Sequence, residues 1–179
     1  TEIYTEDASS AASDVYKRQN VVRATDGLFL EAARKVAKEF PDIAMDDANI
    51  DAITMWLLKN PFNYDVLVAP NLYGDVVSDL CAQMVGGLGF GCSGNIGEKL
   101  AVFEPTHGSA PKYSGMYKVN PIATILTAKM MLDWLGETES AKRIEEAVAT
   151  VIAEGQVRTY DMGGSASTLE MAEAIAEKM

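Results

Sequence analysis

The chain has 179 residues, 48% of them hydrophobic, enough to bury a core and few enough to form one domain or one part of a larger one. Fifteen lysines and arginines stand against 26 acidic residues, and the resulting net charge of −11 disfavours nucleic acid and anionic membrane surfaces as partners. No run of about 18 apolar residues predicts a membrane span, no basic-then-apolar segment opens the chain, and Cys81 and Cys92 lack metal-ligand spacing; together these predict a cytoplasmic protein with reduced thiols.

Residues 1–19 differ from the rest. They carry Ala8-Ser9-Ser10-Ala11-Ala12-Ser13 without helical or strand period, then Asp14-Val15-Tyr16-Lys17-Arg18-Gln19, which resembles the translated read-through of a transposase adapter from a sequencing library. The segment reads either as a non-native leader or as a disordered native one, and residues 20–179 as the C-terminal part of a single domain.

From Asn20 the signals are regular. Gly27 to Phe40 sets Leu28, Ala32, Val36 and Phe40 four apart, which predicts an amphipathic helix stopped by Pro41. Asp46 or Asp47 is expected to cap a second helix in which Ile50, Ile53 and Leu57 share a face, with Pro61 beyond its end. Tyr64 to Ala69 is a β-branched run closed by Pro70-Asn71, suited to a buried strand. A helix over Val76–Val85 then runs into Gly86-Gly87-Leu88-Gly89, where a ligand can approach the backbone. Further helices are expected at about 121–135, 139–154 and 167–178, the last preceded by Gly163-Gly164 and a capping Ser or Thr. This order of helix, strand, loop and helix predicts an α/β fold.

Asp75 and Asp79 lie four residues apart after the strand, so both carboxylates project from one helix face where open α/β sheets bind ligands. A divalent, oxygen-seeking cation such as Mg²⁺ or Mn²⁺ would relieve their repulsion. Alone, the pair also fits a solvated helix face, because acidic residues are common in first turns.

Two longer motifs resolve that choice. Asn71-Leu72-Tyr73-Gly74-Asp75-Val76-Val77-Ser78-Asp79, followed by Val85-Gly86-Gly87-Leu88-Gly89, resembles the metal-binding segment of the isocitrate/3-isopropylmalate dehydrogenases. Phe103-Glu104-Pro105-Thr106-His107-Gly108-Ser109-Ala110-Pro111-Lys112, then Asn120-Pro121-Ile122-Ala123, is similar to that family's nucleotide-binding loop and the helix start behind it. The resemblance runs from about Asn20 to the C-terminus. It implies an isocitrate/isopropylmalate dehydrogenase-like fold, three-layer α/β/α, truncated on its N-terminal side.

The resemblance further implies a metal site of Asp75, Asp79 and, from a partner subunit, Asp51, hence a homodimer. Asp51 and Asp75 are the implied catalytic carboxylates, Asp51 assisting proton removal from the substrate hydroxyl. His107, Gly108, Ser109, Ala110, Pro111, Lys112, Tyr113 and Asn120 are implied to hold the adenosine end of NAD or NADP. Lys112 stands where NAD-preferring members carry an acidic residue, and Tyr160 matches a tyrosine that NADP-dependent isocitrate dehydrogenases bring to the 2′-phosphate; both favour NADP. The arginine expected four residues after that tyrosine is replaced by Gly164. The family's catalytic lysine would stand two residues before Asn20, where this chain has Arg18, which exchanges no proton near neutrality. The implied reaction is metal-dependent oxidative decarboxylation of a 3-substituted malate, isocitrate first and 3-isopropylmalate as the alternative, with this polypeptide itself inactive. A non-catalytic regulatory subunit and an acidic helical interaction module are the other readings.

Overall fold

A computed structural model describes residues 13–17 and 23–179. The chain divides into two compact units between Cys81 and Ala82.

The first unit carries β1 (Ser13–Lys17), α1 (Arg23–Ala37), β2 (Met45–Asn49), α2 (Ile50–Lys59), β3 (Val66–Val68) and most of α3 (Asn71–Met84). Its sheet is parallel, in the order β2-β1-β3, with Ser13 opposite both Met45 and Val66. The β2–α2–β3 segment is a crossover between parallel strands, so the fold is α/β, as the element order predicts. β1 lies inside the segment that showed no strand period: a central parallel strand is held by backbone ladders on both sides, and only Val15-Tyr16 carries β propensity there.

Three local expectations need correction. Asp46 and Asp47 cap no helix, for both lie in β2; α2 starts at Ile50 behind Asn49, which makes no side-chain cap bond. Asp47 instead pairs with Arg34 at 2.8 Å, tying β2 to α1. The stripe of Leu28 and Val36 in α1, and Phe40 just beyond it, faces out, 53–68% exposed, whereas Asp26 and Leu30 are buried. Positions spaced by four drift about 40° per step, and the helix buries the neighbouring stripe instead. The face of α2 is as predicted: Ile50, Ile53 and Leu57 are all buried. α3 begins at Asn71, five residues before the expected Val76, so Asp75 sits inside the helix.

The second unit opens with an antiparallel hairpin of β4 (Cys92–Ile96) and β5 (Ala101–Pro105), then α4 (Ile122–Trp134), α5 (Thr138–Glu154) and α6 (Thr168–Glu177). The three helices fall within a residue or two of the predicted spans. The hairpin was not predicted, because Ser93-Gly94-Asn95 are poor strand formers and Gly97 to Leu100 closes the turn by backbone bonding. Ile122, Ile144, Val148, Val151, Met171 and Ile175 form the core, with Phe90 packed against it. Each buried aliphatic side chain contributes roughly 1.5–3 kcal/mol relative to exposure. Ser167 caps α6 in a reciprocal box: its hydroxyl accepts from the Glu170 N–H, and the Glu170 carboxylate accepts from the Ser167 N–H. Cys81 and Cys92 are free, with their thiol pKa values raised chiefly by burial. Among the described residues no helix is long and apolar enough to cross a membrane.

Candidate functional site

In the first unit, β3 ends at Val68, and Ala69-Pro70 turn the chain straight into α3, so the first turns of α3 stand at the C-terminal end of a parallel strand. Asp75 and Asp79 are exposed there and, at i and i+4, project from one face. Asn71 Nδ2 donates to Asp75 Oδ2 at 3.2 Å, which fixes one carboxylate oxygen and leaves acceptor capacity on the other. Asp51 is exposed in the first turn of α2, where its Oδ1 accepts the Ala52 N–H at 2.8 Å. Among the described residues no three His, Cys, Asp or Glu side chains of one chain gather closely enough to hold a metal ion. One copy therefore does not assemble Asp51, Asp75 and Asp79 into a single ligand set.

A further residue was not read from the sequence. Asp26, 6% exposed in the first turn of α1, accepts a 3.2 Å hydrogen bond from the Tyr73 hydroxyl, across 47 residues of chain. It anchors the turn of α3 that carries Asp75. Its only sequence signal is a carboxylate at a helix start, which occurs wherever helices begin.

In the second unit, β5 delivers the loop that begins at Thr106. His107 is half-buried, and its Nδ1 lies 2.9 Å from the Gly108 carbonyl; a carbonyl only accepts, so Nδ1 carries the hydrogen and Nε2 is left as an acceptor in the neutral ring. Gly108 and Ser109 are exposed, and Ala110 takes a left-handed conformation (φ 41°) that starts a single 3₁₀ turn over Pro111–Tyr113. This turn presents Lys112 and Tyr113. The Tyr113 and Tyr160 rings lie 5.7 Å apart at 45°. The Lys112 ammonium is 4.8 Å from the Tyr113 ring centre, and that of Lys118 is 4.9 Å from Tyr160 and 5.7 Å from Tyr113. The Tyr160 hydroxyl, with Lys112 beside it, holds the Tyr113 phenol below its ordinary range, while donating to Tyr113 raises Tyr160. The structure thus brings Lys112, Tyr113 and Tyr160 together and adds Lys118, which no periodicity marked.

Asn120 is buried at the start of α4 and already engaged: its Oδ1 accepts from the Ile122 N–H and its Nδ2 donates to Asp161, both at 3.0 Å. Asp161 also accepts from the fully buried Thr159 hydroxyl at 2.5 Å. A side chain on Gly89 would put a Cβ 2.6 Å from that Asp161 carboxylate, so the last glycine of the Gly86–Gly89 run is there for close approach. Gly164 is similarly constrained, since a Cβ would fall 2.1 Å from the Arg158 carbonyl oxygen. An arginine cannot stand at position 164 with this backbone.

A sequence profile of the isocitrate/isopropylmalate dehydrogenases matches residues 6–175. The isocitrate/homoisocitrate dehydrogenase of Thermus thermophilus is 50% identical over 162 residues, which are 90% of this chain and 48% of that protein. The 3-isopropylmalate dehydrogenase of Archaeoglobus fulgidus is 48% identical over 159 residues, 89% of this chain and 48% of its own length. The crystal structure of isocitrate dehydrogenase from Methylococcus capsulatus superposes with a TM-score of 0.89 at 44% identity, over 94% of this chain and 50% of that one. This chain therefore spans about half the length of the relatives it matches. With the aspartate-bearing helix and the histidine loop in the same order as the motifs, and a profile match along nearly the whole sequence, the chain belongs to the isocitrate/isopropylmalate dehydrogenase family.

Proposed function

We propose that these residues form the metal- and nucleotide-binding part of an NAD(P)-dependent dehydrogenase that oxidatively decarboxylates a 3-substituted malate, isocitrate to 2-oxoglutarate first among them. The observation that carries this reading is the exposed Asp75–Asp79 face at the C-terminal end of β3. Its oxygen donors suit a hard divalent cation. Asp75 and Asp79 of one copy and Asp51 of another would hold Mg²⁺ or Mn²⁺. Such an ion supplies Lewis-acid polarisation of the substrate's hydroxyl and adjacent carboxylate. Asp51 is assigned to take the hydroxyl proton, and a bound dinucleotide would accept the carbon-bound hydrogen as hydride; the carboxylate β to the new carbonyl would then leave as CO₂, its electron pair forming an enolate whose carbon takes up a proton. Asp26 is a positioning residue, acting through Tyr73.

The loop from His107 to Tyr113, with Tyr160, takes the adenosine end, and Asn120 holds the loop's far end by its bonds to Ile122 and Asp161. Lys112 favours NADP over NAD, since an ammonium attracts a 2′-phosphate where a carboxylate would repel it. A 3-isopropylmalate specificity is the second reading, supported by the Archaeoglobus fulgidus relative. Retention of Asp51, Asp75 and Asp79 together speaks against a regulatory subunit without catalysis. With Arg18 where a lysine is expected, this chain by itself is proposed not to turn over.

Thermal unfolding of the full chain tests the assignment. Mn²⁺ with NADP at about a hundredfold excess over Kd adds about 2.7 kcal/mol, which for a chain of this size raises the midpoint by about 5–10 °C. Asp75→Asn together with Asp79→Asn removes the metal-dependent part of that rise. An unchanged midpoint with both ligands present would refute the assignment.

A further inference from the structure

We infer that Lys118 is a specificity-determining residue of the nucleotide site, taking the 2′-phosphate of NADP together with Lys112 and standing in for the cation that position 164 cannot supply. The inference rests on the nucleotide reading above and assigns that site a residue beyond it.

Four observations converge on Lys118. Its ammonium lies within cation–π range of both tyrosines, 4.9 Å from the ring centre of Tyr160 and 5.7 Å from that of Tyr113, while Lys112 is 4.8 Å from Tyr113. Two ammoniums and two phenol hydroxyls are thus grouped around one ring pair. Next, neither lysine is in an ion pair among the described residues, in a chain of net charge −11. Both ammoniums bear on the Tyr113 ring, so a doubly charged anion seated there meets two cations. The chain's overall negative charge is screened beyond about 8 Å, so the local pair decides the sign an anion meets.

The third observation concerns how Lys118 is held. The carbonyls on either side of it, Tyr117 O and Val119 O, accept the N–H and the hydroxyl of Thr168 at 2.8 and 2.6 Å. Thr168 is the first residue of α6, fixed by the Ser167–Glu170 capping box. Fourth, among the described residues only Ala110 (φ 41°) and Tyr117 (φ 48°) are non-glycine residues with positive φ, and they stand two residues before Lys112 and one before Lys118. Strained backbone of this kind persists where the surroundings over-determine it, commonly at ligand clamps. Gly164 completes the case: with the Arg158 carbonyl 2.1 Å from any Cβ there, the charge cannot come from that side, and Lys118 already lies over Tyr160.

Isothermal titration of the full chain with adenosine 2′,5′-bisphosphate and with 5′-AMP tests the inference. The wild type should bind the bisphosphate at least about tenfold more tightly, and Lys118→Gln should cut bisphosphate affinity about tenfold, the effect of one charge-assisted contact, with 5′-AMP affinity changed less than about twofold. Lys118→Arg should keep most of the preference. Lys118 is exposed, so the glutamine variant is expected to fold, and a matching melting curve checks this. If the wild type binds the two nucleotides equally, the NADP reading fails and the inference with it. If the wild-type preference is intact but Lys118→Gln leaves it unchanged, or weakens both nucleotides alike, the Lys118 assignment alone is overturned.

Discussion

Replacing Asp161 with alanine should unlock the second unit at the point where the loop leading into α4 is fastened. The carboxylate accepts from Thr159, which is fully buried, and from Asn120, which is 6% exposed, at 2.5 and 3.0 Å. Hydrogen bonds to a charged acceptor contribute about 1.5–3 kcal/mol each, and both donors here lose access to water on folding. Asp161 itself is exposed, so the lower end applies and the pair contributes about 3 kcal/mol. That loss should lower the midpoint of this unit by about 12–24 °C. The two tryptophans give a clean assay, because Trp56 lies in the first unit and Trp134 in the second, packed 6.1 Å from Phe103. Fluorescence of Trp134 in a Trp56→Phe background then reports the second unit alone. Asp161→Asn, which keeps the shape but gives up one acceptor, should fall about halfway. An alanine variant within about 0.5 kcal/mol of the parent would show that the network carries no weight, and that Asn120 is placed by other means.

Other perturbations follow from the same geometry. Gly164→Ala should destabilise the second unit by about 2–4 kcal/mol, since its Cβ meets backbone, so Gly164→Arg should fail to create an NADP preference; urea melts and nucleotide titrations check the two. Asp26→Ala should cost about 1–3 kcal/mol, read from Trp56 fluorescence in a Trp134→Phe background, because it removes the hydrogen bond from the Tyr73 hydroxyl to a buried carboxylate. The Glu170 carboxyl is held below its ordinary range by the Ser167 N–H and hydroxyl, so its stabilisation of α6 is present above the normal glutamate pKa and fades as pH falls through the lowered value. Acid titration of Trp134 fluorescence should lose that component in Glu170→Gln.

Much of this molecule is written in its sequence, and the failures have identifiable causes. α5 and α6 were legible because Ala141, Ile144, Val148 and Val151, and then Met171 and Ile175, repeat at helical spacing behind clear start signals. The hairpin of β4 and β5 was hidden, because its order comes from pairing Gly94 with Phe103 across eight residues and from no local preference. In α1 two stripes competed, and the sequence alone does not say which of Leu28 or Leu30 meets the interior. The site divides likewise. Asp75 and Asp79 are readable from spacing, but Asp51 entered only through the family resemblance, and no single chain assembles the three. Lys118, Asp161 and Asp26 act through contacts 41 to 47 positions away or between unpatterned loops, such as Asn120 with Asp161, and leave no periodic trace.

The measurement that bears most directly on the proposed metal site between two copies is a mixing experiment read by Mn²⁺ binding. Chains carrying Asp51→Asn and chains carrying Asp75→Asn with Asp79→Asn should each bind Mn²⁺ poorly alone. Unfolded together and refolded, half of the random dimers pair one of each kind, and each of those has one intact site in two, so about a quarter of wild-type capacity returns. No return of binding in the mixture, with dimers present, would contradict a site built from two copies.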